Sequence, residues 1–150
     1  MPERTGDIEA TWATVHVGEE LPGAVYDLTE ESLIEWRNRT IPGIGEWLVL
    51  PDGRRAAPVS IISADYAKVM YQKFSALGLA HARSRLEPVK LLIPPLRVAV
   101  AGKIVDKYIR RGREYFDVEV TIRDDTGDLL VRNLNSYWMN ASVRHESDTP

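Results

Sequence analysis

The chain contains no cysteine. That excludes disulfides, a thiol nucleophile and a zinc-finger site, and it is compatible with a reducing compartment. A surplus of one charge is missing as well: 19 Lys and Arg against 22 Asp and Glu leave −3 at neutral pH, with a pI near 5.6. Nucleic-acid binders usually carry a basic surplus, so duplex binding through phosphate contacts is disfavoured. Long apolar runs are absent too. Proline or charge interrupts them within about ten residues, against the roughly 20 that span a bilayer. Residues 1–10 (MPERTGDIEA) have no apolar stretch of the signal-peptide kind, and no repeat or low-complexity tract follows. What is present is 150 residues, 44% hydrophobic and 27% charged, about one domain of ordinary globular composition. The expectation is a cytoplasmic protein of one domain over residues 1–150, with loose tails at 1–8 and 142–150 and with neither membrane nor nucleic acid as partner.

Periodicity changes several times along the chain. Residues 11–17 (TWATVHV) alternate loosely up to Gly18, LPG turns the chain, and Val25 and Tyr26 read as a short extended piece. Thr29 is a helix cap, followed by Glu30 and Glu31 where the positive end of the helix dipole favours acids. IPGIG ends that helix, Trp47 to Leu50 reads as a short strand, and Pro51-Asp52-Gly53 is a turn. Pro58 opens the next helix, in which Ile62, Tyr66, Val69, Met70, Phe74 and Leu77 recur at three- and four-residue steps, with Gly78 as its C-cap. Ala80, Ala82, Ser84 and Leu86 then alternate with His81, Arg83, Arg85 and Glu87, a small-residue inner face and a charged outer one. After Pro94-Pro95 a strand runs from Leu96 to about Ile109, with Gly102 as its expected bulge. The RRGR turn leads into the cleanest alternation, Phe116, Val118, Val120 and Ile122, and the turn ending at Gly127 leads into the last strand, about 129–139. The spacing predicts an α+β domain: a long central helix at about 59–77, then four strands as consecutive antiparallel hairpins wrapped over it. The open sheet edges predict a dimer.

Three stretches resemble one family. Residues 17–36 (VGEELPGAVYDLTEESLIEW) are similar to the start of the MaoC-like dehydratases, residues 97–133 to that family's long strand pair, and Ala57-Pro58 to its approach to the central helix. The resemblance covers about residues 15–139. It implies a hot-dog fold, an antiparallel sheet wrapped around a central helix, and chemistry on acyl thioesters without a cofactor. In that family an aspartate, and a histidine five residues later, activate a water for addition to a trans-2-enoyl thioester, and backbone N–H groups at the central helix's N-terminus hold the thioester oxygen. Residues 38–57 (NRTIPGIGEWLVLPDGRRAA) hold Glu46 and Asp52 as their only acids and contain no histidine, so the Asp/His motif is missing. Val59 stands after Pro58, where relatives often have glycine.

The remaining candidates each have a plainer alternative. His81 would have to replace the missing histidine from another place; the plainer reading puts it on the charged face beside Arg83 and Arg85. Asp65 matches in position the helix carboxylate of some other hot-dog enzymes; the plainer reading is an exposed acid near Lys68, stabilised by the helix dipole. Arg110, Arg111 and Arg113 are able to meet the phosphates of coenzyme A or an acidic phosphopantetheine carrier, or to be solvated turn residues. Val59 and Ser60 are the expected thioester contact. Trp36, Trp47, Trp138, Tyr66, Tyr71 and Tyr137 read as packing residues, His16 and His145 as weak candidates, and no histidine or acid pair has metal-site spacing. The first functional expectation is the non-catalytic subunit of a heteromeric enoyl-CoA hydratase or 3-hydroxyacyl dehydratase, a homodimer or a heterodimer with a catalytic hot-dog relative. The second is a divergent hydratase or hot-dog thioesterase using Asp65, Glu46 or Asp52, with His81 from across a dimer. The third is a binding module for an acyl-CoA or a small apolar ligand.

Overall fold

A computed structural model describes residues 6–40 and 48–140 of the chain. Strand β1 (Glu20–Leu28) leads directly into helix α1 (Glu30–Thr40). The Thr29 cap forms as expected: its hydroxyl accepts the Ser32 N–H at 3.1 Å. Glu30 and Glu31 lie in the first turn and Arg37 and Arg39 in the last, each charge facing the helix pole it suits. Strands β2 (Leu48–Val49) and β3 (Arg55–Ala56) form a small ribbon closed by the expected turn, with Gly53 at φ 85°. Trp47, which the sequence reading starts a strand on, and Glu46 lie outside the described residues, as do residues 41–45 and 141–150.

The central helix is shorter than its periodicity predicts. A 3-10 turn (Val59–Ile62) precedes helix α2 (Asp65–Tyr71), so the continuous helix expected at 59–77 is two short pieces. At one end Ala64 sits at φ −90°, ψ 0° without a side-chain cap. At the other, the segment before β1 takes over: the Gly6 N–H donates to the Tyr71 carbonyl, and the Ser75 N–H donates to the Ile8 carbonyl at 2.8 Å. Phe74 therefore bridges Ile8 instead of continuing a helix, and Leu77 is 82% exposed. Gly78, at φ 77°, directs the chain toward the next strand rather than capping α2.

The main sheet contains β4 (Ala80–Pro88), β5 (Leu96–Arg110), β6 (Arg113–Asp124) and β7 (Leu129–Trp138) with β1, in the order β1-β5-β6-β7-β4, all antiparallel. The expected run of four consecutive hairpins is thus corrected. β5, β6 and β7 are a meander, whereas β4 lies across the sheet beside β7, and β1 takes the place next to β5. Helix α2 packs on one face, here the inner face, against β1, β5 and β6. Val69, Met70 and Phe74 meet Val98, Val100 and Ile104 of β5, Phe116, Val118, Val120 and Ile122 of β6, and Val131 and Tyr137 of β7, all buried. Alternation on β6 is the one the sequence shows, with Tyr115, Asp117, Glu119 and Thr121 on the outer face.

Gly102 is not a bulge. The irregularities fall between Leu21 and Ala24 in β1 and between Ile104 and Asp106 in β5. Gly102 is instead the point where sheet and helix approach closest: a Cβ there would stand 2.3 Å from Val69 Cγ1. A further irregularity between His81 and Arg83 shifts the start of β4 out of the expected phase, while Arg83 to Glu87 keep it. Because of it His81 faces inward, its ring 4.5 Å from that of Tyr66 and 5.2 Å from that of Tyr137. The expectation of His81 on the charged outer face is corrected accordingly.

Candidate functional site

Under the β4 edge, the inner face carries a polar strip. Val131, Asn133, Asn135 and Tyr137 alternate along β7, so two amides stand where apolar residues would complete the core. Both accept from β4: Ser84 Oγ donates to Asn133 Oδ1 at 3.0 Å, and His81 Nε2 bonds Asn135 Oδ1 at 3.0 Å. A carbonyl oxygen can only accept, so the hydrogen sits on Nε2 and the lone pair is left on Nδ1. His81 is exposed, and Tyr66 and Tyr137 wall its ring. Two buried groups beside it have no hydrogen-bond partner among the described residues, Asn135 Nδ2 and the Tyr137 hydroxyl. Burial, with Tyr71 and Tyr66 nearby, pushes the Tyr137 phenol far above its ordinary value, so it stays neutral. Among the described residues nothing engages Nδ1, so a histidine with a lone pair stands beside two buried donors without acceptors, the residue types that acid–base chemistry uses.

Asp65 is not the exposed acid its helix position implies. It is 2% exposed, its Oδ2 accepts the Tyr26 hydroxyl at 2.5 Å, and its Oδ1 pairs with Lys68 Nζ at 3.0 Å. Lys68 also lies 4.7 Å over the Tyr26 ring. Burial first, then the bond to Asp65 and its charge, drive the Tyr26 phenol far upward. Both carboxylate oxygens are therefore in use, a structural arrangement rather than a free base. A cavity of about 310 Å³ opens beside this cluster between β1 and α1, lined by Tyr26, Ser32, Trp36, Ile61 and Lys68.

The other expected site residues are scattered. Asp52 lies exposed on the β2–β3 turn, where the hydrogen bond from the Arg54 N–H, and then that from the Arg54 guanidinium at 2.6 Å, lower its carboxyl below the usual range. Val59 and Ser60 head a four-residue 3-10 turn, not a long helix, so the pooled dipole expected to face a thioester oxygen is small. His16 is exposed, and His145 lies outside the described residues. Arg110, Arg111 and Arg113 cluster at the β5–β6 tip and line an outer-face cavity with Tyr108, Tyr115 and Ser136, which alternate with the inward Phe116 and Tyr137. Neither Val59 nor Ser60 lines that cavity. Sequence reasoning missed Tyr26, Asn133 and Asn135; the amides had a signal, since polar residues spaced by two inside an apolar strand share its buried face.

Among the described residues no group of three or more His, Asp or Glu is placed to hold a metal ion, and no helix is long and apolar enough to cross a membrane. No family model matches the sequence, and no curated protein matches it. Solved structures do. A monoamine oxidase regulatory protein from Archaeoglobus fulgidus is 12% identical, with a TM-score of 0.73 over 87% of this chain and 94% of its own. The (R)-hydratase PhaJ1 of Pseudomonas aeruginosa is 11% identical, with a TM-score of 0.69 over 92% of each chain. The HadBC (3R)-hydroxyacyl-ACP dehydratase complex of Mycobacterium tuberculosis is 13% identical to this chain, with a TM-score of 0.69 over 83% of this chain and 98% of its own. Strand order, wrapped helix and these superpositions agree: the chain has the hot-dog fold of the MaoC-like dehydratases and (R)-hydratases.

Proposed function

We propose that this protein is a subunit of acyl-thioester metabolism that shapes an acyl-CoA or acyl-carrier pocket for a catalytic hot-dog partner and supplies no acid–base pair of its own. The observation that carries the reading is the composition of residues 38–57: no histidine, and Glu46 and Asp52 as the only acids. Hydration needs a base for the water and an acid for the α-carbon within a few ångströms of each other, and a segment without that pair cannot place them. The similarity to HadBC, a complex, supports a heteromeric assembly. Strand β4 is the proposed edge for such a partner: residues 81–85 are exposed, and among the described residues no strand pairs with its outer side. Val59 and Ser60 are the proposed backbone contact to the thioester, and the protein's proposed location is the cytoplasm, in line with the lack of cysteine.

The test is assembly. Co-expressed with a hot-dog relative that retains the Asp/His pair, the chain is expected to co-purify as a stable heteromer whose acyl-CoA affinity exceeds that of either homomer. A chain that stays homomeric in every such pairing contradicts the proposal.

One observation favours a second reading, self-sufficient hydratase or thioesterase activity: His81 turned inward with its Nδ1 lone pair free beside Asn135 and Tyr137. Activity of the purified chain, lost in His81→Gln and kept in Asp65→Asn where that variant folds, would establish it.

A further inference from the structure

The arginines at the β5–β6 tip, for which the sequence offers a phosphate partner, line a cavity on the outer face of the sheet, away from the thioester contact proposed at Val59 and Ser60. A cavity of about 470 Å³ lies between the β5–β6 tip and β4, within the size range of small-molecule sites. Four guanidinium groups line it: Arg110, Arg111 and Arg113 from the hairpin, and Arg83, which lies on the outer face of β4 opposite Ser136. None of the four pairs with a carboxylate among the described residues, although arginines elsewhere on the surface do, such as Arg54 with Asp52 and Arg85 with Glu87. Two acids border the lining: Asp117, on the outer face opposite Ser136, accepts the Tyr108 hydroxyl at 3.0 Å, and Glu114, between Arg113 and Tyr115, accepts from Asn140.

Aromatic contacts run through and beside the lining. Tyr108 and Tyr115 stack with their rings 11° apart, and Arg113 lies 4.3 Å over the Trp138 ring, which fixes its guanidinium plane. The turn itself departs from the residue choice its geometry favours. Arg111 and Gly112 both have positive φ, 52° and 75°, a two-residue turn whose first position is normally Asn, Asp or Gly. Holding an arginine in that left-handed conformation costs stability, and such strain concentrates where a side chain serves a ligand.

We propose that this cavity binds a small molecule carrying two or more phosphate groups. Guanidinium forks match phosphate oxygens in pairs. Even with Asp117 beside the wall, four guanidinium groups exceed the about two negative charges of one phosphate group, and a second group engages those left over. The site lies on the face of the sheet opposite α2, so ligand bound there leaves the inner-face strip free. The proposal does not depend on the acyl-thioester reading.

The test is calorimetric titration of the full chain with sodium pyrophosphate, ADP and AMP at about 25 mM and about 250 mM salt. Pyrophosphate is expected to bind saturably at one site per chain, at least tenfold weaker in the higher salt, and at least tenfold tighter than AMP. Arg83→Ala and Arg110→Ala, on different strands and both exposed, are each expected to weaken it about tenfold, while Arg97→Ala, an exposed arginine remote from the cavity, leaves it unchanged. ADP tighter than pyrophosphate would assign a nucleotide as the ligand; equal affinity would assign the diphosphate group alone. No saturable binding of pyrophosphate, or an equal loss in Arg97→Ala, would overturn the proposal.

Discussion

The approach of Gly102 to Val69 holds the sheet against the helix, and it sets up a quantitative test. In Gly102→Ala the new methyl would stand 2.3 Å from Val69 Cγ1 and 3.5 Å from Leu21 Cβ. Carbon atoms in ordinary contact stand about 3.5–4.0 Å apart, so the first distance is short by more than an ångström. Val69 cannot swing away. It is fully buried, and a valine in a helix has one strongly preferred rotamer, so the strain passes into the packing of α2 on β5. Overpacking of this kind costs about 1–3 kcal/mol. At about 2–4 °C per kcal/mol for a chain of this length, the melting temperature should fall by about 2–12 °C in a calorimetric scan. Val69→Ala alone leaves a cavity and also destabilises, but the double variant puts one methyl where another was removed. Its loss should be smaller than the sum of the single losses by about 1 kcal/mol or more. Strictly additive losses, or a neutral Gly102→Ala, would refute the contact and with it the seating of α2 on the sheet.

Further outcomes follow from the polar groups. Tyr26→Phe strips Asp65 of one of its two partners while its carboxylate stays buried, and should lower stability by about 1.5–3 kcal/mol in urea unfolding. An unchanged midpoint would mean that Lys68 alone suffices. Tyr137→Phe removes a buried hydroxyl that has no partner among the described residues, and should be neutral or stabilising by up to about 1 kcal/mol; a clear loss would reveal a partner. The same phenol gives a pH signature. Its folded pKa lies above the ordinary 10.0, so the stability it contributes is fully present below pH 10.0 and is lost as pH rises beyond it, because the unfolded chain ionises first. Urea midpoints should therefore fall above about pH 10, by at most about 1.4 kcal/mol per pH unit for this group, and less steeply in Tyr137→Phe.

Local structure was largely legible in the sequence, and pairing was not. The Thr29 cap, the Gly53 and Gly127 turns and the alternation on β6 each depend on residues near one another, and each is found where its residues place it. The position of β4 beside β7 depends on residues some fifty apart, as in Ser84 with Asn133, and periodicity carries no information about which strands pair. Helix length failed for a related reason: the spacing of Phe74 and Leu77 fits a helix, but Gly6 and Ile8 compete for the backbone groups that would continue it. The phase of β4 was lost at one irregular residue, Ala82, which turned His81 from the outer face to the inner one. Of the candidate site, the Arg110–Arg113 cluster could be read directly, whereas Arg83 joins it only through the fold.

The central claim is that this chain does not catalyse hydration alone. The direct measurement is loss of the conjugated double bond of short- and long-chain trans-2-enoyl-CoAs, followed by absorbance with the purified chain and again after adding a hot-dog relative with an intact Asp/His pair. The account predicts no turnover by the chain alone and turnover in the mixture exceeding that of the relative by itself. Robust turnover by this chain alone, abolished in His81→Gln, would contradict it and make the inner-face strip of β4 and β7 the active site.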